Sequence, residues 1–435
     1  MYLNEDIPVS KKKLGFYELN GKIYGNKFHA LSYCKNGEIP RFNYNEEVFG
    51  KVDFTVEPKE SIYELYRKRA QQLRDEYDYL VVYFSGGIDS AIILRVFLEN
   101  KIKIDGVIIY GTWSLDDKLP NNMPNYNTLE QSRAGMPFIK QMEKEYNVKL
   151  NVCMYDAVEA FYNFQDENYV WSLGGNTIGP RMYSWNFVWK NRFMQDFLMK
   201  GKVASIKGID KPRVYLENGK WYFGFLDTNV NDGTPSGELN ARQDWDIHEY
   251  FYWSPDMPEI AVKQAHIVVD YLENNVPVDI LKRITIKESH FDKKTYIDYV
   301  DPLIYSNNGR WLTQEIGKPK NYFGLSKPLS PGLIQKDLWF HQFADDETKK
   351  HFDIWLAGVN LLQDKIDPMY WNKSQLKNVQ NDADFDQRWK TIVDEYSLHN
   401  MTQPINQDQR HVIWGPVGIW STPYFVKNSK HVFKN

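Results

Sequence analysis

The sequence has few cysteines, no long apolar run and little net charge, and each shortage excludes a class of protein. Its two cysteines, Cys34 and Cys153, are too few for a disulfide framework or a cysteine zinc site. No apolar stretch reaches membrane-spanning length, and the N-terminus lacks a charged-then-apolar signal, so we expect a cytoplasmic protein without membrane partners. The net charge of −4 gives no general attraction to nucleic acid, although it leaves room for a local basic groove.

The 435 residues are enough for a substantial core and predict a chain of three parts. Residues 1–60 form a small β-rich segment with an Asn20-Gly21 hairpin turn. Residues 61–276 carry the main domain, and residues 277–435 form a mixed accessory or substrate region without a phosphate or metal motif. The aromatic, turn-rich stretch 414–420 in that last region predicts a docking or oligomer surface.

In the main domain, apolar runs typical of buried strands alternate with helical patterns. This predicts an α/β fold with a doubly wound parallel sheet. Ser61 and Glu64 have capping-box spacing at the start of the first helix. The expected strands are 80–84, 104–110, 148–155 and 203–206. A helix expected over 184–199 has an aromatic stripe that is more typical of core than of a ligand platform.

A loop of small residues and one acid follows the first of these strands: Ser85, Gly86, Gly87, Ile88, Asp89 and Ser90. Glycines let backbone N–H groups approach a phosphate closely, and the dipole of the following helix favours negative charge. The serine hydroxyls of the loop add donors. Asp89 cannot contact an anion directly, so we expect it to hold Mg²⁺ that bridges to phosphate.

This loop resembles the S-G-G-x-D-S pyrophosphate loop (PP-loop) of the N-type ATP pyrophosphatases, and among these the chain looks most like the asparagine synthetase-like proteins. The resemblance covers roughly residues 61–275 and implies an adenine nucleotide alpha hydrolase-like fold. It also implies ATP and Mg²⁺ as cofactors and a reaction that releases pyrophosphate. The short lead segment and the divergent tail are also similar to uncharacterised phage-encoded members, for which the host cytoplasm would be the compartment. Glutamine-using synthetases place a catalytic cysteine directly after the initiator methionine, where this chain has Tyr2, so nitrogen would come from another source.

The resemblance also implies a second half of the site at the end of the fourth strand. There Gly208-Ile209-Asp210 is similar to a Gly-x-Gly-Ala-Asp-Glu stretch, which makes Asp210 the second metal ligand beside Asp89. Lys211 and Arg213 follow and are the expected catalytic cations, since they would meet the charge on departing pyrophosphate.

The end of the second strand is the expected adenine site. Tyr110 and Gly111 lie there, and their backbone groups could read the edge of the base. The long segment 113–137 follows directly and is either a substrate lid or a disordered excursion.

Three functions remain open from the sequence. The first is an adenylate-forming ligase that activates a small-molecule carboxylate and passes it to an amine. The second is a modifier of nucleic acid or nucleotides that adenylates a base carbonyl, as lysidine synthetases and thiolases do. The third is a non-catalytic ATP- or AMP-binding interaction protein. Asp89 and Asp210 favour chemistry over mere binding.

Overall fold

A computed structural model gives the structure of the protein. It describes the residues in twelve ranges, which are 15–24, 27–35, 38–86, 88–111, 113–114, 131, 135–156, 159–160, 188–208, 213–225, 246–281 and 419–431.

The N-terminal part is a small antiparallel sheet with two short helices. Its elements are β1 (Phe16–Leu19), β2 (Lys22–Tyr24), α1 (Lys27–Ser32), β3 (Arg41–Asn43) and α2 (Glu46–Phe49). The predicted hairpin turn joins β1 to β2, with Asn20 and Gly21 both at positive φ. Strand β3 pairs with the other edge of β1.

Strands and helices then alternate, as the sequence predicts. The elements are α3 (Ile62–Glu76), β4 (Tyr79–Tyr83), α4 (Ile88–Glu99), β5 (Gly106–Gly111), α5 (Met136–Tyr146), β6 (Val152–Asp156), α6 (Arg192–Leu198) and β7 (Val203–Lys207). The predicted capping box begins α3: Glu64 N–H donates to the Ser61 hydroxyl, and Ser61 N–H donates to the Glu64 carboxylate.

The single helix expected over 184–199 was wrong in the part that the structure describes. A 3₁₀ turn, Val188–Lys190, stops before α6, and Asn191 separates the two. The Asn191 side chain accepts a hydrogen bond from the Phe193 N–H at 2.9 Å and so caps a new helix. Phe193 and Phe197 still pack against the core, as the stripe predicted.

The remaining elements include a second Asn-Gly hairpin. They are β8 (Arg213–Glu217), β9 (Lys220–Gly224), β10 (Asp246–Tyr250), α7 (Glu259–Asn275), α8 (Val278–Leu281) and β11 (Tyr424–Asn428). Asn218 and Gly219 form the turn between β8 and β9, and β11 pairs with the free edge of β9. Among the helices that the structure describes, none is long and apolar enough to cross a membrane.

The central sheet has five parallel strands in the order β10-β7-β4-β5-β6. The chain builds the sheet outward from β4 through β5 to β6, then returns to place β7 on the other side of β4. The direction of winding therefore reverses between β4 and β7. In open α/β sheets the crevice beyond the carboxyl ends of the strands at such a reversal is where ligands bind.

Helices cover both faces of this sheet. On one face, α4 and α5 bury apolar residues with Val107 and Ile109 of β5. On the other, α6 packs with Val81 of β4 and Val203 of β7. Because every β5 residue is buried, the strand reads as a continuous apolar run rather than an alternating one. The chain is thus α/β with a parallel sheet.

Candidate functional site

The glycine loop lies at the carboxyl end of β4, where the direction of winding reverses. The Ser90 hydroxyl in the first turn of α4 accepts a hydrogen bond from the Ser85 N–H at 3.2 Å. The two serine hydroxyls are also 3.2 Å apart. Ser85 is exposed and Ser90 is buried, so the loop folds back on its helix and leaves Ser85 at the surface.

Gly86 has a backbone conformation and surroundings that exclude a side chain. Its φ is +74°, which residues other than glycine rarely adopt. A Cβ there would lie 3.2 Å from the Gly135 Cα and 3.5 Å from the Gln131 Oε1. The end of the long segment after β5 is therefore packed directly against the loop.

The first turn of α4 is held by a buried tyrosine that follows the edge strand β10. The Tyr252 hydroxyl, two residues beyond β10, donates to the Asp89 carbonyl oxygen at 2.7 Å. Burial raises the pKa of Tyr252 well above its usual value, and the negative charge of Asp89 raises it further. Oδ1 of Asp89 is inaccessible to solvent. The carboxylate is therefore within electrostatic reach of this hydroxyl.

The carboxyl end of β7 lies against the same helix turn. A Cβ on Gly208 would be 3.2 Å from both the Asp89 carbonyl carbon and the Ser90 nitrogen, so only glycine lets the backbone pass here without displacing α4. Lys207, the last residue of β7, is buried, and its Nζ is 5.4 Å from the centre of the Tyr83 ring. Tyr83 is its register partner on β4, which puts a buried cation on one of the two strands that flank the reversal.

The end of β5, predicted to lie near adenine, carries little accessible side chain. Tyr110 is buried, and its ring packs 6.0 Å from that of Tyr155 on β6. A Cβ on Gly111 would be 2.8 Å from the Trp113 ring, so the indole covers this strand end. Any contact of Tyr110 with a base would involve its backbone, as the sequence predicts.

Several predicted site residues lie outside the described part of the chain. They are Gly87, Asp210 and Lys211. Arg213 is the first residue of β8, where its backbone pairs with Gly224 in the hairpin sheet, while its side chain lies outside the description. The structure brings together Ser85, Gly86, Asp89 and Ser90. The pairing of Asp89 with Asp210 stays a prediction, as do the roles of Lys211 and Arg213.

Lys263, Gln264 and His266 lie on α7 and contact other parts of the chain. Gln264 and His266 are buried in α7. Gln264 donates to the Tyr66 hydroxyl at 2.8 Å, and the His266 ring is 2.9 Å from the Phe54 carbonyl oxygen. Lys263 donates to Glu57 at 2.6 Å. These side chains hold α7 to α3 and to the segment before it.

An acidic cluster of Glu76, Glu249 and Asp256 has oxygen atoms within 4.8 Å of one another. Its buried member, Glu249, accepts from Arg69 at 2.5 Å and from the Tyr77 hydroxyl. Protein groups therefore already compensate the charge of Glu249, as expected for a structural ion pair.

Sequence reasoning missed Gln131, Lys207 and Tyr252 as members of the site. The partners of Gln131 and Tyr252 are 46 and 163 positions away along the chain, so no local pattern marks them. Lys207 had one weak signal, since it directly precedes the Gly208-Ile209-Asp210 stretch.

Comparison with known proteins adds no assignment. No protein-family model matches the chain, and no curated protein matches it significantly.

Proposed function

We propose that the protein is an ATP-dependent, adenylate-forming ligase of the PP-loop type that joins a small-molecule carboxylate to an amine. One observation carries the proposal: the Ser-Gly-Gly-Ile-Asp-Ser loop joins β4 to α4 where the winding of the parallel sheet reverses. The same strand order supports the finer description of the fold as doubly wound and adenine nucleotide alpha hydrolase-like.

The loop residues supply what a bound phosphate needs. Gly86 lets the backbone approach closely, Ser85 is an exposed residue with a hydroxyl, and the first turn of α4 adds its N–H groups and dipole. In the proposed reaction a carboxylate oxygen attacks the α-phosphorus of ATP, and the bond to the β-phosphate oxygen breaks to release pyrophosphate. The amine then attacks the activated carboxyl carbon, loses a proton and displaces AMP.

The donor set also fits a divalent cation. Asp89 is the carboxylate of the loop, and Asp210 would follow β7 at the neighbouring strand end. Mg²⁺ held by the two would neutralise phosphate charge. Tyr252 fixes the Asp89 backbone through its hydrogen bond and so keeps this carboxylate at the start of the helix.

Product analysis tests the proposal. Purified protein is incubated with Mg²⁺, ATP labelled at the α-phosphate, and either pooled carboxylates and amines or host nucleic acid. We expect AMP and pyrophosphate in equal amounts, dependent on the small-molecule pool. Hydroxylamine should trap the activated carboxylate as a hydroxamate.

Other outcomes point elsewhere. AMP formation that depends on nucleic acid, without hydroxamate, would favour the base modifier, and tight ATP binding without turnover would favour the interaction protein. ADP as product would exclude this reaction class.

Two variants link turnover to named residues. Asp89→Asn should abolish Mg²⁺-dependent turnover while the thermal unfolding temperature stays close to that of the wild type. If Lys211 meets departing pyrophosphate, Lys211→Met should lower kcat more than it raises KM for ATP. The opposite pattern would place Lys211 in ground-state binding.

A further inference from the structure

Gln131 belongs to the segment after β5 and is in direct contact with the glycine loop. The residue is only 6% exposed, and its Nε2 donates to the Ser85 carbonyl oxygen at 2.8 Å. Gly135 of the same segment approaches Gly86 so closely that a Cβ on Gly86 would be 3.2 Å from the Gly135 Cα. Two residues of one segment thus touch two successive residues of the loop.

The orientation of the Gln131 amide follows from its neighbours. Exchanging its nitrogen and oxygen would put Oε1 against the Ser85 carbonyl oxygen, two acceptors facing each other. Oε1 instead lies beside Gly86 and Gly135, where it is inaccessible to solvent and has no donor among the described residues.

Holding the Ser85 carbonyl also orients the next amide. The peptide between Ser85 and Gly86 is trans, so its C=O and N–H groups point in opposite directions. Gln131 therefore turns the Gly86 N–H away from the Gln131 side of the loop. On the preceding peptide, the Ser85 N–H is already fixed by the Ser90 hydroxyl.

We propose that Gln131 is a positioning residue of the nucleotide site, which presets the Gly86 N–H as a donor to a phosphate oxygen. The inference rests on the proposed function, because it assigns a role within the same loop. It adds Gln131, which contacts the loop at Ser85, to the residues of the phosphate site. Without the Gln131 donor the peptide can rotate, and phosphate must then reorder it on binding.

The test uses one substitution that removes the side-chain donor at residue 131 and a second whose side chain is a donor only at low pH. Gln131→Met should weaken binding of ATP–Mg²⁺ and of inorganic pyrophosphate by at least about tenfold in calorimetry. Gln131→Glu can donate to the Ser85 carbonyl only when protonated, and burial raises the pKa of a carboxyl above its usual value of about 4.3. Its affinity should approach that of the wild type near about pH 5.5 and fall as the pH rises to about 8.

Controls separate this behaviour from general effects. Wild type and Gln131→Met, followed over the same pH range, report any pH dependence of binding that does not come from residue 131. Gln71→Met changes a glutamine on α3 that bonds Asp75, and should leave affinity unchanged. Thermal unfolding of each variant over the same pH range shows whether affinity follows stability.

The outcomes distinguish the inference from the proposed function. Native affinity in Gln131→Met overturns the positioning role and leaves the nucleotide site standing. Weak binding by Gln131→Glu at every pH, with native stability, overturns the donor role. Wild-type protein that binds neither ATP nor pyrophosphate would remove the proposed function and the inference together.

Discussion

Gly86 has both a positive φ and close neighbours, whereas Gly219 has only the positive φ. The Gly86 φ of +74° is close to the +72° of Gly219 in the β8–β9 turn, so a side chain would strain both backbones similarly. Nothing lies within 4 Å of a Cβ on Gly219, whereas a Cβ on Gly86 would press on Gly135. Gly219 is therefore a matched control for backbone strain.

Gly86→Ala should lose nucleotide binding, and Gly219→Ala should not. Both changes should lower the free energy of unfolding by about 1 kcal/mol or somewhat more, because each forces a side chain into positive φ. Only the first also displaces the phosphate loop. Calorimetry with ATP–Mg²⁺ and urea denaturation of both variants check this. Equal ATP affinity in the two variants would contradict the loop assignment.

For single residues, the sequence predicts a shared role when the residues lie close together in one short stretch. Ser85, Gly86, Asp89 and Ser90 are such a set, and the structure brings them together at the strand end. Gln131 and Tyr252 reach the same loop through tertiary packing. Gln131 lies in a polar stretch of the sequence, and a glutamine there does not by itself predict a hydrogen bond to the Ser85 carbonyl.

Between elements, Asp105 joins the starts of β4 and β5 to the end of α3. Its carboxylate accepts from the Leu80 N–H at 2.9 Å and from Arg74 at 2.6 Å, and Lys103 is 2.7 Å away. Burial alone would raise the pKa of Asp105, but the bonds from Lys103, Arg74 and Leu80 outweigh it and lower the pKa below its usual value. The ionised form thus stabilises the fold.

Asp105→Asn should make stability less dependent on acid pH. A lowered folded-state pKa means that the carboxylate contributes fully above its unfolded pKa, about 3.9, and that the contribution is lost as the pH falls through the folded value. The variant should be less stable than wild type by about 1.5–3 kcal/mol at pH 7, with the difference shrinking below about pH 4. Urea denaturation at a series of pH values measures it. A difference independent of pH would show that packing, and not charge, is lost.

Arg69 and Glu249 join α3 to β10 through a buried ion pair. Both side chains are almost fully buried, and Arg69 also donates to the Tyr250 carbonyl oxygen at 3.4 Å. Strand β10 is the edge strand whose sequence, Asp-Ile-His-Glu-Tyr, did not suggest a buried strand. The ion pair with Arg69 is what allows Glu249 to be buried in this strand.

Arg69→Met should destabilise the protein by about 3–5 kcal/mol, because it leaves the Glu249 charge buried without its partner. The double change Arg69→Met with Glu249→Gln should recover a large part of this loss, since it removes the charge and keeps an acceptor for the Tyr77 hydroxyl. Chemical denaturation of wild type, single and double variants completes the comparison. Equal destabilisation of the single and double variants would argue against an electrostatic cause.

The elements show why prediction succeeded in some places and failed in others. Strands β4, β5, β6 and β7 are apolar runs, and the Asn20-Gly21 turn is a local signal, so these were predicted. Strand β10 was not predicted from the sequence, because its burial depends on Arg69 from α3. The prediction of one helix over 184–199 was wrong because the apolar stripe continues past Asn191, whose side chain caps a second helix.

Across the whole molecule, one aromatic cluster joins distant parts of the chain. Tyr44 packs 4.3 Å from Phe225 and 6.1 Å from Trp253, and Phe54 stacks 4.8 Å from Tyr424 on β11. The cluster includes residues from all three predicted parts of the chain, whose division at residues 60 and 276 stays a prediction. The described end of the C-terminal region lies against the chain's own β9, and an oligomer surface at 414–420 also stays a prediction.

Val426→Ala should therefore cost more stability than Phe425→Ala, although it removes fewer atoms. Val426 is fully buried on β11, whereas its neighbour Phe425 is 37% exposed. We expect losses of about 1.5–3 kcal/mol for the first and about 1 kcal/mol or less for the second. Tryptophan fluorescence and far-ultraviolet circular dichroism, followed during denaturation, should shift together. A larger loss for Phe425→Ala would mean that β11 packs through its other face.

The pairing of β11 with β9 also determines when the fold can be completed. Phe425 pairs with Tyr222, and Thr422 bonds Glu46, a contact that spans 376 positions. Contacts of such high order form slowly, and a growing chain on the ribosome cannot make these until β11 has emerged. Until then one edge of β9 and part of the aromatic cluster stay uncovered, and unpaired edges and exposed apolar surface of this kind promote aggregation during synthesis.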